Sequence, residues 1–218
     1  HQGEIVGLTG ISGSERRTLS KVLFGIHGPF EGAIHLNGKT FRAITPHEAK
    51  ANGLCYVTGI GTEEGLISGG TVAENITLTN LERVSRFGFL NSEKEAEFAQ
   101  DLIERLEITA DNREIVGNLS GGKQKKVIFA KWLFSNAKVL IIEEPTAGID
   151  VGSKVDIYNI MNELLLEGAS ILMISSDLSE LLGMCDKIMV MCDGEIRQVF
   201  QRGEATKERI LYYASGGK

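Results

Sequence analysis

Cysteine is scarce: Cys55, Cys185 and Cys192 are the only three in 218 residues. They are unclustered and lie among apolar neighbours. That excludes a disulfide framework and a thiolate metal site, and predicts buried thiols in a reducing compartment. Histidine offers no metal-ligand spacing either, since His27, His35 and His47 fall in loop or hairpin contexts. Positive charge is not in excess: 23 Lys and Arg face 29 Asp and Glu, for a formal net charge of −6. That argues against a nucleic-acid-binding surface. No apolar run approaches the roughly 18 residues of a membrane span, so any membrane association is expected to go through a partner. No stretch reads as a signal peptide, an internal repeat or a low-complexity segment. The remaining composition, 42% hydrophobic and 24% charged, is that of a soluble globular chain long enough to bury a core.

Along the chain, short apolar strands alternate with helical periodicity. Ile5–Thr9 reads as a strand, Gly10-Ile-Ser-Gly-Ser14 as a turn, and Arg16–Phe24 as a helix stopped by Gly25. Asn37-Gly38, bracketed by Gly32–Leu36 and Thr40–Phe41, signals a hairpin. Leu54–Val57 is a buried strand. From about Thr71 to Gly117 the character turns helical. There, Ser92 with Glu95 predicts a capping box before the i, i+3, i+4, i+7 series Ala99, Leu102, Ile103 and Leu106. A helix is expected from Ser120, a strand over Val139–Ile142, and a helix carrying Ile157, Ile160, Met161, Leu164 and Leu165. Strand Ser170–Ile174, a helix capped by Asp177 with Glu180, strand Lys187–Met191, an Asp193-Gly194 turn and a terminal helix complete the chain. This alternation predicts an α/β fold with a mainly parallel sheet flanked by helices. The central strand lies almost at the first residue, which predicts a cut N-terminus with His1 and Gln2 as tag or linker remnants.

Two stretches carry chemistry. Asn118-Leu-Ser-Gly-Gly-Lys-Gln-Lys-Lys126 sets a serine and two glycines at a helix start, where free backbone N–H groups and the positive dipole end, about half an elementary charge, suit an anion. Val139-Leu-Ile-Ile-Glu-Glu-Pro-Thr146 drives a buried strand into two adjacent carboxylates that suit a metal ion and a water. The turn after the first strand departs from the phosphate-loop pattern G-x-x-x-x-G-K-[ST]. Gly10 and Gly13 are present, but Glu15, Arg16 and Arg17 stand at the last glycine, the lysine and the metal-holding hydroxyl. Thr18 is one residue late and faces elsewhere on the helix. On the residues alone, a strand-to-helix turn without a ligand is the better reading.

Taken together, these motifs resemble the LSGGQ motif and Walker B strand of ATP-binding-cassette (ABC) ATPases, and the resemblance runs over essentially the whole chain. Leu78-Thr-Asn-Leu-Glu-Arg-Val-Ser-Arg-Phe-Gly-Phe-Leu90, Gly148-Ile-Asp-Val-Gly152 and Ser175-Ser-Asp-Leu-Ser-Glu-Leu-Leu182 are similar to the C-terminal half of the tandem ATPases that energise bacterial ribose-, galactose- and xylose-type importers. The resemblance implies a P-loop NTPase fold of ABC type over residues 1–218. Residues 1–70 and 118–218 would form a RecA-like core with a small antiparallel part, and 71–117 a helical subdomain. It also implies ATP and Mg²⁺ as cofactors, both weak at this chain's own site.

Residue by residue, the resemblance places Gly10, Ser12, Gly13, Ser14, Glu15, Arg16, Arg17, Thr18 and Glu143 around the chain's own nucleotide, with Mg²⁺ nearest Glu143. Glu144 corresponds to the general base and Ser176 to the switch position that is histidine in active cassettes. Asp150 belongs to the D-loop, while Thr58 and Gly59 belong to the Q-loop region Val57–Gly61, whose usual carboxylate is Gly59 here. Leu119, Ser120, Gly121, Gly122, Lys123 and Gln124 form the LSGGQ motif, which in the family serves the nucleotide of an opposite domain. Trp132 reads as packing, because the adenine-stacking aromatic would precede Gly3. The implied partners are an N-terminal nucleotide-binding domain, transmembrane permease subunits and, indirectly, a periplasmic or lipoprotein sugar-binding protein, all at the cytoplasmic face of the plasma membrane. Two other functions fit the residues: an independently active ABC ATPase with Arg16 acting for the lysine, and a non-catalytic regulatory or scaffold cassette.

Overall fold

The computed structural model describes residues 3–59 and 64–217, apart from the side chain of Ser14. Strand β1 (Ile5–Gly10) leads into helix α1 (Gly13–Leu23). A hairpin of β2 (Ile34–Leu36) and β3 (Lys39–Phe41) turns at Asn37 and Gly38, both in the left-handed region, as an Asn-Gly turn of two residues demands. Helix α2 (Pro46–Ala51) precedes β4 (Leu54–Val57). Then follow α3 (Val72–Thr77), a two-strand hairpin of β5 (Ser85–Arg86) and β6 (Phe89–Leu90), α4 (Ser92–Arg105) and α5 (Gly121–Phe134). The chain ends with β7 (Val139–Glu143), α6 (Val151–Leu166), β8 (Ser170–Ile174), α7 (Leu178–Met184), β9 (Lys187–Cys192), β10 (Glu195–Gln201) and α8 (Lys207–Ala214).

Six strands form one sheet in the order β10-β9-β1-β8-β7-β4. The β1/β8, β1/β9 and β7/β8 pairs are parallel, and β10 returns antiparallel to β9. Strands β1, β7 and β8 contribute Ile5, Leu8, Leu140, Ile141, Ile142, Ile171 and Met173 to the core, all nearly inaccessible. Such continuous apolar runs are what a parallel strand covered on both faces requires. The described residues of His1–Tyr56, Lys138–Pro145 and Asn162–Lys218 form one compact unit, and those of Val57–Ala137 and Thr146–Met161 a second.

Several local expectations are corrected. Helix α1 starts at Gly13, three residues before Arg16, because Glu15 in its first turn suits the helix dipole and no second glycine holds the turn open. The cap of α4 is Asn91, whose carboxamide accepts from Glu93 N and Lys94 N. Glu95 instead accepts from the Thr77 hydroxyl at 2.7 Å, so Ser92 and Glu95 form no capping box. The true boxes are Thr45/Glu48 and Thr71/Glu74. Asp177 does cap α7, but Glu180 turns inward to accept from Ser175 Oγ at 2.7 Å. The Asp193-Gly194 turn opens onto β10, a strand the sequence reading omitted along with α2. Within β10 only Phe200 is fully buried, and its partly exposed alternation gave a weak signal. His1, Gln2, Ile60 and Gly61 lie outside the described residues.

Cys55 and Cys185 are buried as expected, whereas Cys192 is only partly buried. Burial, reinforced by Asp186, pushes the Cys185 thiol up to about 12. At pH 8 the thiolate population of Cys185 is therefore negligible, and the thiolate is the reactive form. Iodoacetamide at pH 8 should leave Cys55 and Cys185 unmodified in the folded protein and label all three thiols in denaturant. Native labelling of Cys185 at the denatured rate would contradict this packing.

Candidate functional site

Within the sheet-bearing unit, the C-terminal ends of β1, β7 and β8 meet the start of α1. Gly10 ends β1 so close to the Met191 carbonyl that a Cβ would collide with it. Ser12 occupies the N-cap position of α1 with extended backbone, but its side chain makes no capping bond. Gly13, Ser14 and Glu15, expected in an open loop, are wound into the first helical turn. Arg17 and Thr18 point outward and are exposed. Arg16 points inward and is 5% exposed.

The Arg16 guanidinium occupies the cleft. Its Nη1 donates to the Ser175 carbonyl at 2.8 Å and lies 3.9 Å from Glu144 Oε1. Its Nη2 sits 3.6 Å from where a Cβ on Gly13 would lie, so the group covers the turn. Its Nε is buried without a hydrogen-bond partner. Burial pulls this guanidinium below the ordinary arginine value, while Glu144 and then Glu143 push it back.

Both carboxylates at the end of β7 are already engaged. Glu143 is buried and accepts from the Ser20 hydroxyl, which also lies 2.8 Å from the Arg17 carbonyl. Glu144 adopts a left-handed backbone at φ 41, uncommon for a residue with a Cβ. Its carboxylate accepts from Ser176 N at 2.9 Å and from Ser176 Oγ at 3.1 Å. The predicted base and switch position are thus brought together, and they bind each other. The cleft bounded by Gly13, Arg16, Arg17, Glu143, Glu144 and Ile174 measures about 40 Å³, room for a water. Mg²⁺ demands octahedral oxygens at about 2 Å and retains several waters. This donor set, beside a buried guanidinium, does not fit it. Among the described residues, no group of three His, Cys, Asp or Glu side chains could hold a metal ion.

In the second unit, Ser120 stands at the N-cap of α5, exposed and making no side-chain capping bond. Gly121 is exposed beside it, while Leu119 and Gly122 are buried. A Cβ on Gly122 would lie 2.8 Å from the Ser153 Cβ, so only glycine fits. Ser153 in turn donates its N–H and hydroxyl to Asp150, at 3.0 and 2.8 Å, and these bonds hold the Asp150 carboxyl below the usual range. Lys123 and Gln124 are spent on the backbone, reaching the carbonyls of Thr109 and Val116. A cavity of about 380 Å³ is lined by Gly59, Gly121, Gln124, Lys125 and the stretch 147–149. Thr58 is buried, and its carbonyl accepts from Lys125 Nζ at 3.3 Å. Trp132, predicted to pack, is half-buried with Lys131 Nζ 5.6 Å from its ring centre.

Three participants were missed. Ser20 lies four residues after Arg16, on the same face of α1, and that spacing could have flagged it. Ser175 acts through its carbonyl, and Ser153 through proximity to Gly122; neither leaves a trace in spacing.

A serine left free at a helix start should be dispensable for folding. Ser120→Ala is expected to change stability by less than about 0.5 kcal/mol. By contrast, Asp177→Ala, which removes a bonded cap, should cost about 1 kcal/mol, and Gly122→Ala about 1–3 kcal/mol through overpacking. Denaturant unfolding reads all three. A Ser120→Ala cost as large as that of Asp177→Ala would assign the serine a structural role.

Comparison with known proteins identifies the family. Residues 1–147 match the ABC transporter family model. The chain is 46% identical over 217 residues to the ribose import ATP-binding protein RbsA of Oceanobacillus iheyensis, covering 99% of this chain and 44% of that protein. It is 45% identical over 219 residues to the xylose import ATP-binding protein XylG of Thermoanaerobacter pseudethanolicus, covering 100% of this chain and 43% of that protein. The chain thus spans less than half the length of these relatives. Among solved structures, a nucleotide-free ATP-binding cassette from an ABC transporter superposes with a TM-score of 0.79 at 24% identity, over 94% of this chain and 83% of that one. A dimeric cassette bound to ADP and phosphate superposes at 0.77 with 22% identity, over 92% of this chain and 86% of that one. Family model, relatives and fold agree: the chain belongs to the ATP-binding cassettes of ABC transporters.

Proposed function

We propose that this chain is the C-terminal cassette of a tandem ATPase that drives a bacterial monosaccharide importer, and that it acts mainly by completing the partner cassette's ATP site. The observation that carries this reading is an asymmetry between its two faces. The signature face keeps a free serine hydroxyl and two glycines at the start of a 14-residue helix. The chain's own phosphate cleft is filled by Arg16, with Glu144 and Ser176 bound to each other. An anion held at the start of α5 would meet backbone N–H groups, the dipole and Ser120, none of which needs this chain's own nucleotide. At its own site, the Arg17 side chain has no oxygen for Mg²⁺, and Glu15 adds negative charge where a phosphate would approach the turn.

In this reading residues 71–117 form the helical subdomain of the cassette. The N-terminal cassette of the same polypeptide supplies the competent phosphate loop. Permease subunits hold the assembly at the cytoplasmic face of the membrane, and a sugar-binding protein delivers the substrate to them. The relatives' names and the full-length match of this chain within them support the sugar-importer assignment. No helix among the described residues is long and apolar enough to cross a membrane.

Calorimetric titration of ATP·Mg²⁺ into the chain tests the retired site. The native chain should give no binding heat in the micromolar range. The triple variant Glu15→Gly, Arg16→Lys, Arg17→Thr, which restores the full loop pattern, should bind. Micromolar binding by the native chain would mean that Arg16 serves the phosphates.

A further inference from the structure

We infer that Arg16 is a positioning residue: its guanidinium latches the helix after β1 to the ends of β7 and β8, so that the switch segment Ser175–Asp177 is held in one arrangement without any ligand. The inference rests on the reading that this site is retired, and extends it, because the substitutions complement one another. Arg16 reaches across the cleft to the Ser175 carbonyl at 2.8 Å and faces Glu144 at 3.9 Å. Glu144 grips the switch residue through both carboxylate oxygens, from Ser176 N and Ser176 Oγ. Ser175 Oγ accepts from Asp177 N at 3.0 Å and donates to the buried Glu180 of α7 at 2.7 Å. Glu143 is tied back to α1 through Ser20. The chain of contacts therefore runs from α1 through both carboxylates and the switch segment into α7.

The residue types explain why this network closes. Through the single nitrogen Nη1 the guanidinium donates to the Ser175 carbonyl while its delocalised charge faces Glu144; an ammonium on a shorter reach is a point charge. Glu143, with one more methylene than an aspartate, reaches the Ser20 hydroxyl. Ser176 is short enough to bond Glu144 through both its backbone and its side chain. The one loose end is the buried Arg16 Nε, and the remaining space of about 40 Å³ admits a water to accept from it. The positive charge of Arg16 is matched by carboxylates that would otherwise repel each other across the same cleft.

Amide hydrogen exchange in the native state reads this directly at Ser176 and Asp177, whose N–H groups are donors in the network. Arg16→Gln should speed exchange at both amides by about tenfold or more, with no comparable change at the β9 and β10 amides. Arg16→Lys, which keeps the charge and serves if the glutamine variant does not fold, should speed the same amides by a smaller factor. In the double variant Arg16→Gln, Glu144→Gln, which removes both charges, exchange should stay fast. Return to the native rate there would show charge balance alone at work and overturn the latch, as would unchanged rates in Arg16→Gln or a uniform rise across the sheet. Millimolar ATP·Mg²⁺ should leave the native rates unchanged. If ATP binds the native chain yet Arg16→Gln still frees only Ser176 and Asp177, the latch stands and the retired-site reading falls. If ATP does not bind and Arg16→Gln changes nothing, the reading stands and the latch falls.

Discussion

A guanidinium taken out of water must be met by negative charge and acceptors, and around Arg16 that requirement organises the whole end of the sheet. Two carboxylates, one carbonyl and a serine pair converge on a space that the topology already provides, the C-terminal edge of parallel strands where α/β folds place ligands. Removing any one partner would leave a buried charge or donor unmet, which is costlier than never having built the network. The left-handed backbone of Glu144 is part of the same constraint, because it turns the carboxylate toward Ser176.

The second unit is governed by close approach instead of charge. Gly122 packs against Ser153, and Ser153 satisfies Asp150, so helix α5 and the 147–153 stretch are fixed together by steric fit and two hydrogen bonds. The lysines of α5 add to this: Lys125 ends on the Thr58 carbonyl and Lys131 on the Gly65 carbonyl, with Ile128 between them against Gly65. Lys126 pairs with Asp156 at 2.9 Å. With its cations spent on loop carbonyls and a carboxylate, the helix still presents Ser120 and Gly121 to solvent.

Much of this was legible in the sequence. The strands Leu54–Val57 and Ser170–Ile174 fall where apolar runs bounded by turn residues placed them, and Asn37-Gly38 sits at its hairpin. The substitutions at 15–17 were visible because a phosphate loop has a fixed spacing. Less legible was what the substituted residues do to one another. That Arg16 would bond a carbonyl 159 residues away, or that Ser176 would occupy both oxygens of Glu144, depends on strand order and register, which single-chain patterns do not encode. Helix starts were misread where two polar residues compete: Asn91 outranked Ser92 because its carboxamide reaches two N–H groups at once. Strand β10 escaped notice because most of its side chains are partly or fully exposed and its pairing includes a register shift.

On the proposed reading the cassette divides its labour between two faces, and turnover by a tandem protein assembled to carry this chain tests that division most directly. ATP hydrolysis would be measured for the assembled importer with Ser120→Ala in one preparation and Glu144→Gln in another. The account predicts that Ser120→Ala reduces turnover by at least about tenfold, as loss of one donor to a transition-state oxyanion does, whereas Glu144→Gln leaves it within about twofold. Loss of activity in Glu144→Gln with full activity in Ser120→Ala would contradict it.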